Sequence, residues 1–167
     1  TIGHALAYAH AVEALAGCRV PARAQALRAV ALELERLANH TGDLGALAGD
    51  VGFLPTSSFC GRLRGDFLNM TALLCGSRFG RGFVRPGGVA FDVDAALLAD
   101  LRKRLDATFR DVGGAAHLLW ETPSVMARFE NTGTVSTEIA VELGLVGPAA
   151  RASGREIDVR RDFPSGI

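Results

Sequence analysis

The chain has 167 residues and carries 18 basic and 18 acidic side chains, so its formal net charge at pH 7 is zero. A neutral chain lacks the basic surface that binds nucleic acids or anionic membranes, which argues against both kinds of partner. Apolar residues make up 49% and charged residues 22% of the sequence, which is typical of globular proteins and sufficient for one core. We therefore predict a single domain over residues 1–167.

Helical patterns fill the first half of the chain. An alanine-rich segment, residues 3–16, favours a first helix. A long helix is predicted from about residue 22 to about residue 49, because its apolar residues recur at alternating steps of three and four. A turn at residues 55–58, where a proline is followed by three hydroxyl side chains, precedes a third helix from about Phe59 to about Phe79.

The second half of the chain mixes helices with irregular segments. Residues 81–92 contain a turn at Pro86-Gly87-Gly88 that short strands can flank. A fourth helix is predicted from about residue 93 to about residue 129, and a short helix over 136–143. The predicted fold class is mainly α: a helical bundle with long antiparallel helices and a minor β or irregular part at about 81–92 and after residue 145.

The cysteines and histidines do not form a recognisable metal-binding motif. The three cysteines, Cys18, Cys60 and Cys75, include no CxxC pair, and none of the four histidines is near a cysteine in sequence. This usage suits a reducing cytosolic setting and argues against a structural zinc site, so we predict a cytoplasmic protein without metal ligands of its own. The catalytic motifs GxSxG, HExxH, GxxxxGK[ST] and GxGxxG are also absent from the sequence.

A line of ionisable residues runs along the predicted second helix at steps of three, four, three and seven, and its members share one helix face: Glu33, Arg36, His40, Asp43 and Asp50. One interpretation is a solvated charged face with pairs one turn apart. The other is a buried chain that carries protons or orients a redox site, although burial is costly for unpaired charges. The spacing of these residues does not distinguish between the two interpretations. Three glycines in the same helix predict close packing against a neighbour: Gly42, Gly45 and Gly49.

Arginines surround the predicted Pro-Gly-Gly turn. Arg78, Arg81 and Arg85 precede it, and arginine binds carboxylates or backbone oxygens through two parallel hydrogen bonds. An arginine-braced structural turn is favoured over a phosphate-binding loop. The same alternatives apply to the charged residues near the end of the sequence: Arg151, Asp158, Arg160 and Arg161. Arg85 and Arg151 are the weak candidates for cofactor binding.

Four blocks, in order, resemble one protein family. The central helix of [NiFe]-hydrogenase large subunits, and of the D subunit of the NADH:quinone oxidoreductases, is similar to two of these blocks. They are PARAQALR (residues 21–28) and ELERLANHTGDLGALAGDVGF (residues 33–53). GRLRGDFLNMTALLCGSRFGRGFVRPGGV (61–89) resembles the energy-converting hydrogenases of the hydrogenase-4 and formate hydrogenlyase type, and RPGGV is shared with complex I. Residues 132–164 resemble the later part of the family.

The resemblance implies an interior piece of the catalytic large subunit of a membrane-associated hydrogenase or complex I-like oxidoreductase. In such subunits, two CxxC pairs hold a nickel–iron centre, or the cavity binds a quinone. Both sets of ligands would lie outside this piece, so no cofactor is expected in it. The complexes carry out electron transfer, quinone binding and NAD binding. The implied partners are a small subunit with an iron–sulfur cluster and a membrane arm, which would hold the cytoplasmic subunit at the inner face of the membrane.

The resemblance also favours the relay interpretation of the line on the second helix. Asp50 matches an acidic residue that links the quinone cavity to the proton path in complex I, and Arg36 and His40 match an Arg-x-x-Asn-His stretch beside it. Glu33 and Asp43 would extend the same relay. The alternatives are a quinone-binding D subunit and a scaffold subunit without metal or quinone chemistry. The isolated piece is expected to be inactive, and a homodimer through its exposed apolar faces would be unsurprising.

Overall fold

The computed structural model describes residues 1–163, and helices make up most of that part of the chain. The mainly α fold class is confirmed. In chain order the elements are α1 (Ile2–Ala16), α2 (Ala22–Asp50), α3 (Leu54–Cys75), β1 (Val84–Arg85), β2 (Gly88–Val89), α4 (Ala95–Trp120), α5 (Pro123–Phe129), α6 (Thr137–Glu142), α7 (Gly147–Ala152) and α8 (Val159–Asp162). Within residues 1–163, no helix has the length and apolar content needed to cross a membrane.

The first two helices begin and end close to their predicted bounds. Gly17 ends α1 in the left-handed conformation, with φ of 61°, which glycine adopts without steric cost. Pro21 stands immediately before α2, at the position where a missing backbone N–H costs nothing. The 29 residues of α2 run without interruption to Asp50, so the prediction of one long helix is confirmed.

The predicted bounds of the third helix are wrong by several residues. Residues 55–58 were predicted to be a turn, but Pro55 lies in the first turn of α3, where proline is favoured because no intrahelical N–H is required. The actual turn is residues 51–53, in which Gly52 has φ of 73°. At its other end, α3 stops at Cys75 because Gly76 takes the left-handed conformation.

A second proline divides the predicted fourth helix. Asp94 caps α4, and its carboxylate accepts a hydrogen bond from the Leu97 N–H at 2.7 Å. The helix ends at Trp120, and a separate helix, α5, begins at Pro123. Proline has no N–H to donate and its ring clashes with the preceding turn, so one helix over residues 93–129 is the wrong prediction.

The remaining predictions concern the strands and the end of the chain. β1 and β2 pair antiparallel across the Pro86-Gly87 turn, as predicted. Ser136 caps α6 close to its predicted bounds. The short helices α7 and α8 occupy much of the segment after residue 145 that was predicted to be β or irregular. Pro164, the last residue of the segment resembling the later part of the family, lies outside the described residues.

The chain forms two compact units. The first covers Thr1–Met126, and the second begins at Ala127 and contains α6, α7 and α8. The main core belongs to the first unit, where Phe67 of α3 and Phe83 before β1 are fully buried. Because a three-residue turn joins them, α2 and α3 run antiparallel and pack along their length.

Small residues form much of the face that α2 packs against its neighbours. Ala31, Ala38 and Ala48 are fully buried, whereas the larger Val30 is 39% exposed. A Cβ added at Gly45 would lie 3.0 Å from the Cys60 Cβ. Added Cβ atoms on the two other glycines of α2 would also meet α3 side chains closely, at Arg64 and Ser57. The prediction that these glycines permit close packing is therefore confirmed.

Candidate functional site

The line of ionisable residues predicted from Glu33 to Asp50 lies on the face of α2 opposite its buried face. Glu33 and Arg36 are partly exposed, and the Arg36 Nε lies 3.2 Å from the Glu33 Oε2. His40, Asp43 and Asp50 are exposed. Within this chain the line is a solvated face, and its burial in a larger subunit stays a prediction. Its role as a proton relay remains a prediction.

Sequence spacing did not single out Glu35, which lies beside this line on α2. Its carboxylate accepts hydrogen bonds from the backbone N–H groups of Ile2 and Gly3, both at 2.8 Å, and pairs with the terminal ammonium of Thr1. The contacts join the middle of α2 to the first turn of α1, whose free N–H groups need acceptors. Burial opposes ionisation of the carboxyl, but these donors outweigh it and lower the pKa of Glu35.

Two small cavities share Glu35 and Asn39 as lining residues. One has a volume of about 140 Å³ and is completed by Leu32, Arg36 and His40, so it reaches the line of ionisable residues. The other also measures about 140 Å³ and extends towards α3 and the first residues of the chain. Pockets that enclose drug-sized ligands usually measure about 300–1,000 Å³. Neither of these two cavities is large enough to enclose a quinone.

A buried ion pair braces the strand turn and was not predicted. Arg28 of α2 is 1% exposed and Glu13 of α1 is 7% exposed. The Arg28 Nη1 and Nη2 donate to the two carboxylate oxygens of Glu13 at 3.1 and 2.5 Å. Hydrogen bonds from Arg28 are the main reason that the pKa of Glu13 is lowered. The pair gave no signal in the sequence because its members lie on different helices, fifteen positions apart.

The same two side chains hold the backbone of the turn. Arg28 donates to the Arg85 carbonyl at 2.7 Å and to the Gly88 carbonyl at 3.0 Å. The Gly87 N–H donates to the Glu13 carboxylate at 2.8 Å. Gly87 has φ of 86°, a conformation that favours glycine. The turn is therefore braced by an arginine, as favoured from the sequence, but the arginine is Arg28 and not one of the three that precede the turn.

Among residues 1–163, the two arginines proposed as weak cofactor ligands donate hydrogen bonds only to backbone carbonyl oxygens a few residues away. Arg85 is exposed, and its Nε donates to the Gly82 carbonyl at 3.3 Å. Arg151 is also exposed and donates to the Ile157 carbonyl at 3.4 Å. Near the end of the described chain, Arg161 pairs with Asp162 at 2.8 Å. Cofactor binding by Arg85 and Arg151 stays a prediction.

The donor side chains of the described residues do not suit a nickel–iron centre. Cys18 is exposed, Cys60 is buried and Cys75 is partly buried, each on a different segment or end of a helix. Burial raises the pKa of the Cys60 thiol, which disfavours the thiolate needed for metal binding. Residues 1–163 contain no group of three or more histidine, cysteine, aspartate or glutamate side chains that could hold a metal ion. These residues therefore support no reaction step at such a centre.

Comparison with known families places this helical scaffold among the large subunits of respiratory oxidoreductases. The family described as "Respiratory-chain NADH dehydrogenase, 49 Kd subunit" matches residues 50–167. The chain belongs to this family, which confirms the family-level resemblance found in the sequence. The narrower likeness to hydrogenase-4 and formate hydrogenlyase remains a prediction.

Individual relatives match nearly the whole chain. NADH-quinone oxidoreductase subunit 4 of Thermus thermophilus is 36% identical over 164 residues, which are 98% of this chain and 40% of that protein. The D subunit of the NADH-quinone oxidoreductase of Clostridium beijerinckii is 36% identical and is covered to 44%. A solved structure of the membrane-bound sulfane sulfur reductase, an archaeal respiratory membrane complex, superposes with a TM-score of 0.87 at 28% identity, over 94% of this chain and 42% of that one. The chain thus spans less than half the length of these relatives.

Proposed function

We propose that this chain forms the central helical part of the large subunit of a membrane-associated oxidoreductase complex. The main support is the collinear match over 98% of the chain to a protein named as an NADH-quinone oxidoreductase subunit. The likeness to a respiratory membrane complex supports the same assignment. In such an assembly the subunit would be cytoplasmic and peripheral to the inner face of the membrane. Its neighbours would be an iron–sulfur small subunit and a membrane arm.

Within this subunit, the line from Glu33 to Asp50 would serve as a proton relay. It extends about 26 Å along a helix face that the core does not use. Another segment or subunit can therefore cover it without disturbing the packing of α2 on α3. Once covered, its ionisable groups would lose water and respond strongly to a change of charge at a neighbouring redox site. His40 is suited to the middle of the relay because imidazole has two ring nitrogens, one of which can accept a hydrogen bond while the other donates one.

The spacing of the relay sets the form that proton transfer must take. From Glu33 to Asp43 the steps are one helical turn each, a distance that ionisable side chains can bridge directly or through one water molecule. From Asp43 to Asp50 the step is seven residues, or about 10 Å along the axis. The intervening position on that face is Leu47, which is partly exposed and cannot carry a proton. Water molecules would have to bridge this last step.

The relay proposal is tested by Asp50→Asn in the intact complex that contains this chain. Asparagine keeps the shape of the side chain but cannot bind and release a proton. We expect proton-coupled turnover to fall by about 100-fold, a typical loss for a missing proton-transfer group. Electron transfer and proton uptake would be measured together, with a pH-sensitive dye reporting proton uptake.

The matched control is Asp106→Asn, which removes an exposed carboxylate from α4, away from the relay. It should leave coupled turnover unchanged. Wild-type coupling in Asp50→Asn would refute the relay and would favour a scaffold role for this part of the subunit.

A further inference from the structure

The second cavity beside Glu35 contains two arginines that have no partner in the described part of the chain. Arg64 of α3 and Arg78 from the loop after it both line this cavity of about 140 Å³. Neither guanidinium makes a hydrogen bond or an ion pair with residues 1–163. By contrast, Arg23, Arg28 and Arg62 of the same unit are each paired with a carboxylate.

Both arginines pass close to a helical glycine. A Cβ added at Gly42 of α2 would lie 2.9 Å from the Arg64 Cδ, so the aliphatic part of the Arg64 side chain packs directly against the backbone of α2. A Cβ added at Gly65 would lie 3.6 Å from an Arg78 Nη atom, so Arg78 lies over the helix next to Arg64. Both positive charges therefore lie at one cavity.

An unpaired, partly buried guanidinium is unfavourable. Arg64 is only partly exposed, and a charged group that loses water without gaining a partner costs free energy. A second positive charge nearby adds repulsion. An anion between the two arginines would remove both costs and accept hydrogen bonds from both planar groups.

The acidic residue in the same cavity does not neutralise the arginines. The Glu35 carboxylate accepts hydrogen bonds from the backbone N–H groups of Ile2 and Gly3, both at 2.8 Å. The balance of charge in the cavity is positive, and the Asn39 amide adds a neutral hydrogen-bonding group.

We infer that this cavity is a binding site for a small oxyanion of the carboxylate or phosphate class, held by Arg64 and Arg78. The volume suits an anion of a few heavy atoms and excludes a nucleotide. The inference uses only the charges and packing of this cavity and does not depend on the proposed proton relay.

The test measures binding of inorganic phosphate to the full 167-residue chain by isothermal titration calorimetry, with acetate as a second probe and sodium chloride at matched ionic strength as the blank. Phosphate, acetate or both should bind and raise the midpoint of thermal unfolding. Arg78→Gln, at an exposed side chain that folding does not require, should weaken binding by about tenfold or more, the loss expected for a charged hydrogen-bond donor. Arg64→Gln should do the same.

The control is Arg62→Gln, which removes the same charge from the same helix but from a side chain paired with Asp66 and Asp111 outside the cavity. It should bind the anion as the wild type does. Circular dichroism would show whether each variant folds. If Arg64→Gln does not fold, the binding measured with Arg78→Gln tests the inference by itself. Binding of neither probe, or an equal loss in Arg62→Gln and Arg78→Gln, would overturn the inference, because the latter indicates general electrostatic attraction.

Discussion

At the scale of single residues, the buried guanidinium of Arg28 has the largest expected effect on stability. The Glu13 carboxylate compensates its charge. The guanidinium also donates hydrogen bonds to two backbone carbonyls of the strand turn. Removing one partner of a buried pair leaves the other as an uncompensated charge, and this costs about 3–5 kcal/mol. Since domains are stable by only about 5–15 kcal/mol, such a loss is a large fraction of the total.

We therefore expect Glu13→Gln to lower the free energy of unfolding by about 3 kcal/mol, measured by urea denaturation. Glutamine can still accept the hydrogen bond of Gly87, so the loss would report the missing charge. The double variant Glu13→Gln with Arg28→Met should recover part of the stability, because both charges are gone. Arg104→Gln, at the exposed pair of Arg104 and Asp100, is the control and should cost less than about 1 kcal/mol.

The same variant has an expected pH dependence. The pKa of Glu13 is lowered in the folded state, so the pair contributes stability above the unfolded pKa of about 4.3 and loses it as the pH falls through the folded value. The difference in unfolding free energy between the wild type and Glu13→Gln should therefore shrink below about pH 4. A difference that stays constant from about pH 7 to about pH 3 would argue against an ionised Glu13 in the native state.

The Glu13–Arg28 pair also marks a limit of sequence reasoning. Periodicity finds residues that share one helix face, as it did for Glu33 and Asp50, but it cannot pair charges on two different helices. Nor can it decide burial. The resemblance favoured a buried line on α2, and in this chain the line is exposed because the small residues on the opposite face pack against α3.

At the scale of elements, two glycines show how the stabilising effect of close helix packing can be separated from the effect of helical preference. Gly45 of α2 and Gly113 of α4 are both helical, but a Cβ at Gly45 would lie 3.0 Å from the Cys60 Cβ and 3.3 Å from the Ser57 carbonyl oxygen. Nothing lies within 4 Å of a Cβ at Gly113.

Gly45→Ala is therefore expected to lower the unfolding free energy by about 1–3 kcal/mol through overpacking of α2 against α3. Gly113→Ala should raise it by up to about 1 kcal/mol, because alanine favours the helix and meets no obstacle. Chemical denaturation of both variants measures the two effects. Changes of the same sign in both would mean that helical preference, and not the close approach of α2 and α3, controls these positions.

Prolines explain the element bounds that sequence patterns misplaced. Pro55 and Pro123 are both in the first turn of a helix, where proline is tolerated. The sequence patterns instead predicted that Pro55 lies in a turn before a helix and that Pro123 lies inside a helix. Long helices such as α2 were predictable because their pattern repeats over many turns. The short α7 and α8 have too few residues to show a period.

At the scale of the whole molecule, the order of sequence blocks along the chain said more about the family than the amino-acid composition did. Composition indicated only a globular protein, whereas four blocks in collinear order identified the family that the match over residues 50–167 confirms. The size of the relatives was not predictable in this way, since this chain spans 40% of the Thermus protein.

An apolar line on α4 bears on the predicted homodimer. Leu98, Phe109 and Trp120 are exposed and lie eleven residues apart, which places them on one side of the helix at three-turn intervals. An isologous contact between two α4 helices would cover this line in both copies.

We expect the isolated chain to sediment as a dimer in analytical ultracentrifugation and Phe109→Glu to shift it to the monomer, because a carboxylate would be buried at the contact. Leu15→Glu, at a residue of α1 that is 92% exposed, should leave the dimer intact. A monomeric wild type, or dissociation by Leu15→Glu alone, would exclude this dimer.

The length of α2 has a mechanical consequence. Arg28, which grips the strand turn, and Asp50, which ends the proposed relay, belong to the same uninterrupted helix and lie about 33 Å apart. An intact α-helix resists stretching, so its two ends cannot shift independently along its axis. We therefore expect that a partner which displaced the Pro86-Gly87 turn would also shift Asp50, because Arg28 joins the turn to the same helix.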